Sequence, residues 1–260
     1  VSIFPNNNNN RGGSASPIQS PFGGNDYAVG AAPGLAVNMN AVMRLVYVWM
    51  GLGLLVTTIT ALFISNTPAL VEAIFANSGL LIGIVIAQFG LVIALSWAIN
   101  KISPSVAGIM FLVYSATMGV TISLMMLVYT GASVVMAFGT TAAVFGAMTI
   151  FAFTTKMDLT KWRTFLFMGL IGLIIATLLN TFIFRSSGFD LMLSYFGVLL
   201  FTGLTAYDTY RIKQMAESPE LAAAGGDAVL KLSIIGALTL YLDFINLFLF
   251  LLRILGVRRE

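Results

Sequence analysis

Seven apolar stretches of about 20 residues follow one another along the chain, each separated from the next by a short polar segment. They run roughly 45 to 64, 79 to 99, 105 to 128, 132 to 153, 164 to 184, 191 to 212 and 232 to 254. Each is long enough to cross hydrocarbon as a helix that satisfies its own backbone hydrogen bonds. The pattern predicts an all-α integral membrane protein with seven transmembrane helices. Residues 1 to 40 break it: Asn6 to Asn10 is a homopolymer, four of the seven prolines (Pro5, Pro17, Pro21, Pro33) lie there, and no apolar periodicity appears. They read as a disordered tail ahead of a seven-helix domain at 41 to 260. No basic segment leads into a short apolar core, so the first span reads as an anchor and not as a cleaved signal.

Charge orients the spans. If they alternate, the N-terminal side collects Arg11, Arg44, Lys101, Lys156, Lys161, Arg163, Arg211, Lys213 and Lys231, and the other side Arg185, Arg253, Arg258 and Arg259. The excess places the N-terminus in the cytoplasm. Trp49, Trp97 and Trp162 fall at the same ends, where an interfacial aromatic belt would lie. Three of the four opposing charges belong to the C-terminal segment, so charge counting alone favours six spans plus a re-entrant hairpin. The last stretch is long enough to cross, and seven spans are expected. Gly79 and Gly83 form a small-xxx-small pair, and Gly90, Gly119, Gly146, Gly169, Gly172, Gly197 and Gly203 lie in other spans, where missing side chains let helices approach.

Composition narrows the chemistry. Hydrophobic residues make up 58% of the chain and charged ones 9%, against about 25% charged in a soluble domain. There is no Cys and no His, which excludes disulfides, thiolate or imidazole metal sites and the usual nucleophile–histidine catalysis. Carboxylate, hydroxyl, amide and backbone oxygen remain. The net charge of +3 lies mostly in loops, with no basic stripe for a nucleic acid; its counterpart is the anionic lipid surface. No phosphate-binding loop or metal cluster is present, so no cofactor is expected.

Asp208 and Asp243 are the acidic residues that fall inside apolar stretches. A charge there costs on the order of 3 kcal/mol by insertion scales, and such residues mark ion or proton pathways. Thr202, Thr205, Asp208 and Thr209 share one face of the sixth span, and Gly236, Thr239, Asp243 and Asn246 one face of the seventh. Lipid cannot hydrogen-bond these stripes, so they should face each other or a cavity. Depth is the obstacle: Asp243 lies twelve residues beyond Lys231, roughly 18 Å along a helix, while Asp208 lies near the cytoplasmic end of its span. Pairing follows if the last span instead begins near Gly236 and ends near Arg258 and Arg259, with Arg253 snorkelling.

Gly203-Leu204-Thr205-Ala206-Tyr207-Asp208-Thr209-Tyr210-Arg211-Ile212 and Leu240-Tyr241-Leu242-Asp243-Phe244-Ile245-Asn246-Leu247-Phe248 resemble the signature of the Bax inhibitor-1, or transmembrane Bax inhibitor motif, family. Phe165 to Leu173 and Leu127 to Ser133 resemble its bacterial branch, and the likeness covers about residues 41 to 257. The resemblance implies a seven-helix protein whose last helix is central and surrounded by the other six. It also implies a bacterial plasma-membrane location and a pH-sensitive calcium leak gated by an aspartate pair, Asp208 and Asp243. In some members a basic residue of the second helix latches the sixth-helix aspartate. Residues 79 to 99 hold Gln88 but no Lys or Arg, so a latch here must come from elsewhere, with Arg211 and Lys101 as candidates.

The pair has its own physics. Two carboxyls in one desolvated site cannot both ionise cheaply, so they titrate as a unit and share a proton. Losing it turns a bond into a repulsion that separates the last two helices. Calcium prefers six to eight oxygens, which the two carboxylates, Thr205, Thr209, Thr239, Asn246, carbonyls and water would supply transiently. Three rivals remain. An intramembrane aspartyl protease also carries two membrane aspartates, but Leu240-Tyr241-Leu242-Asp243 is not its Gly-x-Gly-Asp element, Pro68-Ala69-Leu70 is a chance likeness, and no enzyme is expected. A non-transporting regulator of a membrane protease or cell-death pathway is the second. In the third, the aspartates merely fix helix register. Asp158, Asp190, Asp227, Glu72, Glu217 and Glu220 read as solvated loop charges, Asn180 and Gln88 as interhelical hydrogen-bonding groups, and the thirteen methionines as packing.

Overall fold

The computed structural model describes residues 39–259; the tail expected through residue 40 lies outside them except for Met39 and Asn40, which are already helical. The chain forms α1 (Met39–Ser65), α2 (Pro68–Phe75), α3 (Ser78–Ala98), α4 (Pro104–Val128), α5 (Gly131–Thr154), α6 (Arg163–Leu179), α7 (Ser187–Ala216), α8 (Pro219–Ala224) and α9 (Gly226–Leu255). A 3-10 turn leads into α6, and a π turn, Asn180–Phe184, ends it. Among the described residues seven helices are long and apolar enough to cross a membrane: α1, α3, α4, α5, the run Leu159–Phe184, α7 and α9. The protein is an all-α integral membrane protein.

Local chemistry sets the helix ends. Ser103, Thr130, Ser186 and Ser218 each accept a backbone N–H of the first turn, and Pro104 and Pro219 follow two of them. Gly225 takes φ +84°, a conformation that favours glycine, where α8 turns into α9. α2 and α8 went unread in the sequence because six to eight residues are too short for an apolar period. Asp190, Asp227, Glu72 and Glu220 were expected in loops but lie in helices, three of them (Asp190, Glu220 and Asp227) in first turns, where a carboxylate complements the helix dipole.

The central helix is α9, with 72% of its most apolar window buried against 11% for α3. It packs on α1, α4, α5 and α7, while α3 lies outside on α4 and α6 outside on α7. The re-entrant alternative fails at the C-terminus. Thr130 N donates to Val257 O (3.0 Å), Arg259 N to Val128 O (2.9 Å) and Val257 N to Ser133 Oγ (2.9 Å), holding the tail against the α4–α5 turn. The end of α9 therefore lies on the face opposite the start of α1, and α9 crosses completely.

The glycines divide. A Cβ on Gly119 would sit 2.7 Å from Thr57 O, one on Gly53 2.5 Å from the Phe111 ring, and one on Gly197 2.7 Å from the Phe250 ring, so these mark real close approaches. Gly169 and Gly203 pack on Leu200 and Leu166. Gly83, Gly90, Gly146 and Gly172 face open space, and a Cβ on Gly79 would meet its own N-cap, Asn77. The expected Gly79/Gly83 pair therefore makes no helix contact. Trp49 also departs from the aromatic belt. It lies ten residues into α1, about 15 Å along it, and fills the space left by Gly108 while meeting Phe111 edge-on. Trp97 and Trp162 are exposed.

Candidate functional site

The two aspartates meet, by a route other than the expected one. α9 begins at Gly226 and ends at Leu255, not at Gly236 and Arg258. Ala216, the last residue of α7, belongs to the apolar cluster that Leu232 packs against, and the register set by Gly236 against Ile212 puts the two level, so the first six residues of α9 overhang α7 and rest against α8. Gly236 against Ile212 and Gly197 against Phe250 continue the antiparallel register. Counted from the Ala216–Leu232 level, Asp208 lies eight residues down and Asp243 eleven, a difference of about 4.5 Å or roughly one turn. Hydropathy missed the overhang because Asp227 and Lys231 lower the apolar score of a segment that is nevertheless helical.

Asp243 is buried at 4% exposure and Asp208 half-buried. Their carboxyl groups lie close enough to act on each other. Ionised carboxylates only accept, so a bond between them needs one shared proton. Oδ2 of Asp243 is buried with no donor. The Arg211 guanidinium, one turn after Asp208, acts on that carboxyl. Lys101 instead sits over the Trp97 ring at 4.5 Å.

The flanking polar residues separate into two kinds. Thr202, Thr205, Thr239 and Asn246 donate to carbonyls of their own helices, Val198, Phe201, Ile235 and Leu242. Their donors are used locally and their oxygens keep acceptor capacity. Thr209 Oγ1 has no partner. It shares that state with Tyr47 Oη of α1 and Thr149 Oγ1 of α5, and the hydroxyls of Thr149 and Thr209 are the polar side chains bearing on Tyr47. Tyr47 and Thr149 carried no sequence signal: a lone hydroxyl in a span is common, and only the fold brings three together beside the pair.

Asn246 lines a cavity of about 380 Å³ bounded by Phe89 of α3, α6, Phe201 of α7 and α9, which reaches Arg253. Arg253 pairs with Asp190 at 3.4 Å near the face that carries the C-terminus. Asn246 is one turn from Asp243, so the cavity extends from this ion pair to within a turn of the carboxyls. Among the described residues no three acidic side chains come together. Gln88, the polar residue of α3, donates to Thr117 O and Thr121 Oγ1 of α4, both at 2.8 Å, as interhelical bonding required. Asn180 bonds Ser186 N and O and closes the turn into α7, where Arg185 takes φ +49°.

A central membrane helix carrying a buried carboxyl, paired with a second on its antiparallel neighbour, defines a class of seven-helix membrane protein. The chain belongs to the Bax inhibitor-1 family: the family described as inhibitor of apoptosis-promoting Bax1 matches residues 39–260. It is 48% identical over 217 residues to the inner membrane protein YbhL of Escherichia coli K12, covering 84% of this chain and 92% of that one. It is 44% identical to an uncharacterized protein of Borreliella burgdorferi (85% and 94% covered) and 40% identical to the uncharacterized protein RP147 of Rickettsia prowazekii (84% and 90%).

Proposed function

We propose that the protein is a calcium leak channel of a bacterial inner membrane, N-terminus in the cytoplasm, that opens as the Asp208–Asp243 pair loses its shared proton. The carrying observation is the pair itself: two carboxyls on adjacent antiparallel membrane helices, close enough to act on each other, one with a buried oxygen that has no donor. With the proton in place, α7 and α9 are bridged. Rising pH removes it, and two like charges in low dielectric repel and part the helices. Calcium, the transported substrate, then meets two carboxylates, the acceptor oxygens of Thr205, Thr209, Thr239 and Asn246, and the cavity leading to Arg253. Too few charges gather for tight binding, which suits passage. Arg211 is the candidate latch on Asp208, its positive charge setting the pH at which the pair loses its proton. The excess of Lys and Arg on the N-terminal side supports the orientation, and the printed name of YbhL supports the location.

The test is calcium entry into liposomes holding the purified protein, from acidic to alkaline pH. Wild type should pass more calcium as pH rises; Asp243→Asn, which keeps size and hydrogen bonding but cannot ionise, should flatten the profile while remaining monodisperse. An unchanged profile in that variant removes the pair as the gate. Asp158→Asn is the control. Hydrogen bonds from the Thr160 hydroxyl and then its backbone N–H hold the Asp158 carboxyl below the ordinary carboxylate range. A depressed carboxyl stabilises above its unfolded pKa and loses that contribution as pH falls through the folded value, so it acts only at the acid end. Its profile near neutrality should match wild type. A second reading, a regulator of a membrane protease or death pathway, draws on the family's description. It predicts partner binding that persists in Asp243→Asn and protein-independent calcium entry.

A further inference from the structure

α1 packs on α4 and α9, and α5 packs on α7 and α9. Between these two sets, over the central helix, lies a cavity of about 290 Å³ lined by Thr58 and Leu62 of α1, Met126 of α4, Phe138 of α5, and Phe244 and Phe248 of α9. Phe138 meets both α9 rings edge-on, at 5.4 and 6.4 Å. The cavity is apolar in a strict sense: Thr57 and Thr58, its polar lining residues, both hold hydrogen bonds within the protein. Water finds little to bond there. The groove opens beside Val135 and Phe138, which are exposed on a membrane-spanning helix, so what faces it is hydrocarbon.

Toward the face that carries the C-terminus the groove continues, through the shared residues Leu62 and Met126, into a second cavity of about 200 Å³ lined by Ser65, Asn66 and Arg259. The Asn66 amide donates to Leu62 O, which leaves its oxygen, and Arg259 Nε donates to Tyr129 O, which leaves its remaining N–H groups. The ion pair found among the described residues is Arg253–Asp190, so no carboxylate among them neutralises Arg259. A chain-width apolar slot ending at a guanidinium that no described carboxylate pairs has the polarity of one phospholipid.

We propose that this groove binds a membrane phospholipid, one acyl chain against Phe244 and Phe248 and its phosphate on Arg259. A methylene is close in size to a water molecule at ~30 Å³, so the cavity takes roughly ten carbons of a chain. The tail supplies fit rather than preference, because a bilayer already surrounds it with equally apolar material. Preference comes from the guanidinium, whose planar donors match phosphate oxygens two at a time. Bound there, the chain packs on the two residues that follow Asp243 in α9, Phe244 and Ile245. The site does not depend on calcium transport, so it stands or falls separately from that reading.

Native mass spectrometry of the full chain in detergent, titrated with phosphatidylglycerol, tests the proposal. Wild type should retain one lipid. Thr58→Phe, which extends an exposed side chain into the slot, and Arg259→Gln, which removes the charge, should each retain it roughly tenfold more weakly. Ile93→Phe, on the exposed face of α3, should behave as wild type, and inorganic phosphate should not compete. The proposal is overturned if Thr58→Phe and Arg259→Gln hold the lipid as wild type does. It is equally overturned if Ile93→Phe weakens retention as much, which would mark unspecific surface lipid, or if phosphate displaces the adduct, which would mark a plain anion site.

Discussion

The two faces of α9 treat polar groups in opposite ways. On the face toward α1 and α4, the Tyr241 hydroxyl lies 2.7 Å from Thr57 Oγ1, which also reaches Gly53 O and Ser115 O at 2.9 Å. One hydroxyl proton serves each contact in turn: Tyr241 donates to Thr57, and Thr57 donates to a carbonyl. Phe111 and Tyr114 close on the Tyr241 ring edge-on, at 5.6 and 5.9 Å. On the face toward α7, and in the adjoining gap between α1, α5 and α7, lie the buried side-chain polar atoms without partners among the described residues: Asp243 Oδ2, Thr209 Oγ1, Thr149 Oγ1 and Tyr47 Oη. Folded proteins satisfy nearly all their buried polar groups, so a cluster of exceptions asks for an explanation. The lesson is that polarity alone does not mark a membrane site. Tyr241 and Thr57 form a fastener because their needs are met; Asp243 is a candidate site because its needs are not.

The largest expected effect breaks the fastened side. Gly119→Leu places a side chain where a Cβ alone would already lie 2.7 Å from the Thr57 carbonyl and 2.6 Å from Thr60 Cβ. Backbone cannot yield there, so the α1–α4 contact opens. We expect loss of several kcal/mol, beyond the usual ~1–3 kcal/mol of overpacking, seen as aggregation on size-exclusion chromatography. Gly83→Leu, the same change in open space on α3, should elute and melt as wild type. Equal behaviour of the two variants would mean that the α1–α4 seam is not the rigid frame.

The pattern of apolar stretches was enough for seven crossings, because twenty apolar residues have few other fates in a bilayer. That Asp208 and Asp243 lie on neighbouring helices was legible too, from polar stripes at helical spacing. What the sequence could not carry was depth. Whether the carboxyls meet depends on a six-residue overhang of α9 made of mixed residues, and hydropathy cannot see a capped helix leaving hydrocarbon. The glycines failed for a related reason: Gly83 and Gly119 look alike in sequence, and only the neighbour across the interface separates them. Tyr47 and Thr149 were invisible because convergence from three helices leaves no local spacing. Arg259 counts in the sequence only as one of the C-terminal charges, whereas the fold seats it at the mouth of a groove.

A second break acts on the hydroxyl pair. Thr57→Val keeps the shape and removes the acceptor of the Tyr241 hydroxyl, leaving that group buried at the centre of the bundle. An unsatisfied buried hydroxyl costs about 1–3 kcal/mol. The thermal midpoint of the purified protein should fall accordingly. The pH profile of calcium entry should keep its shape, since no titrating group of the α7–α9 seam is touched. A profile that flattened would couple the two faces of α9 and undo their separation into frame and site.

The smallest effect sharpens the comparison most, because it applies the same substitution to the other seam. Thr209 is buried, like Thr57, and Val again matches its shape. Here the hydroxyl has no partner to lose. Removing a polar group that has been desolvated without compensation recovers part of its burial cost, so Thr209→Val should leave stability within about 1 kcal/mol of wild type or raise it. Measured side by side, the two Thr→Val variants should therefore differ by roughly 1–3 kcal/mol, with Thr57→Val the weaker. The calcium profile supplies the second reading of the same variant. Thr209 precedes Tyr210 and follows Asp208 in α7, and its oxygen is one of the acceptors proposed to meet the cation, so entry at high pH should decrease without a change in the pH at which it rises. A Thr209→Val protein as destabilised as Thr57→Val would show that its hydroxyl is held after all, and that both faces of α9 are frame.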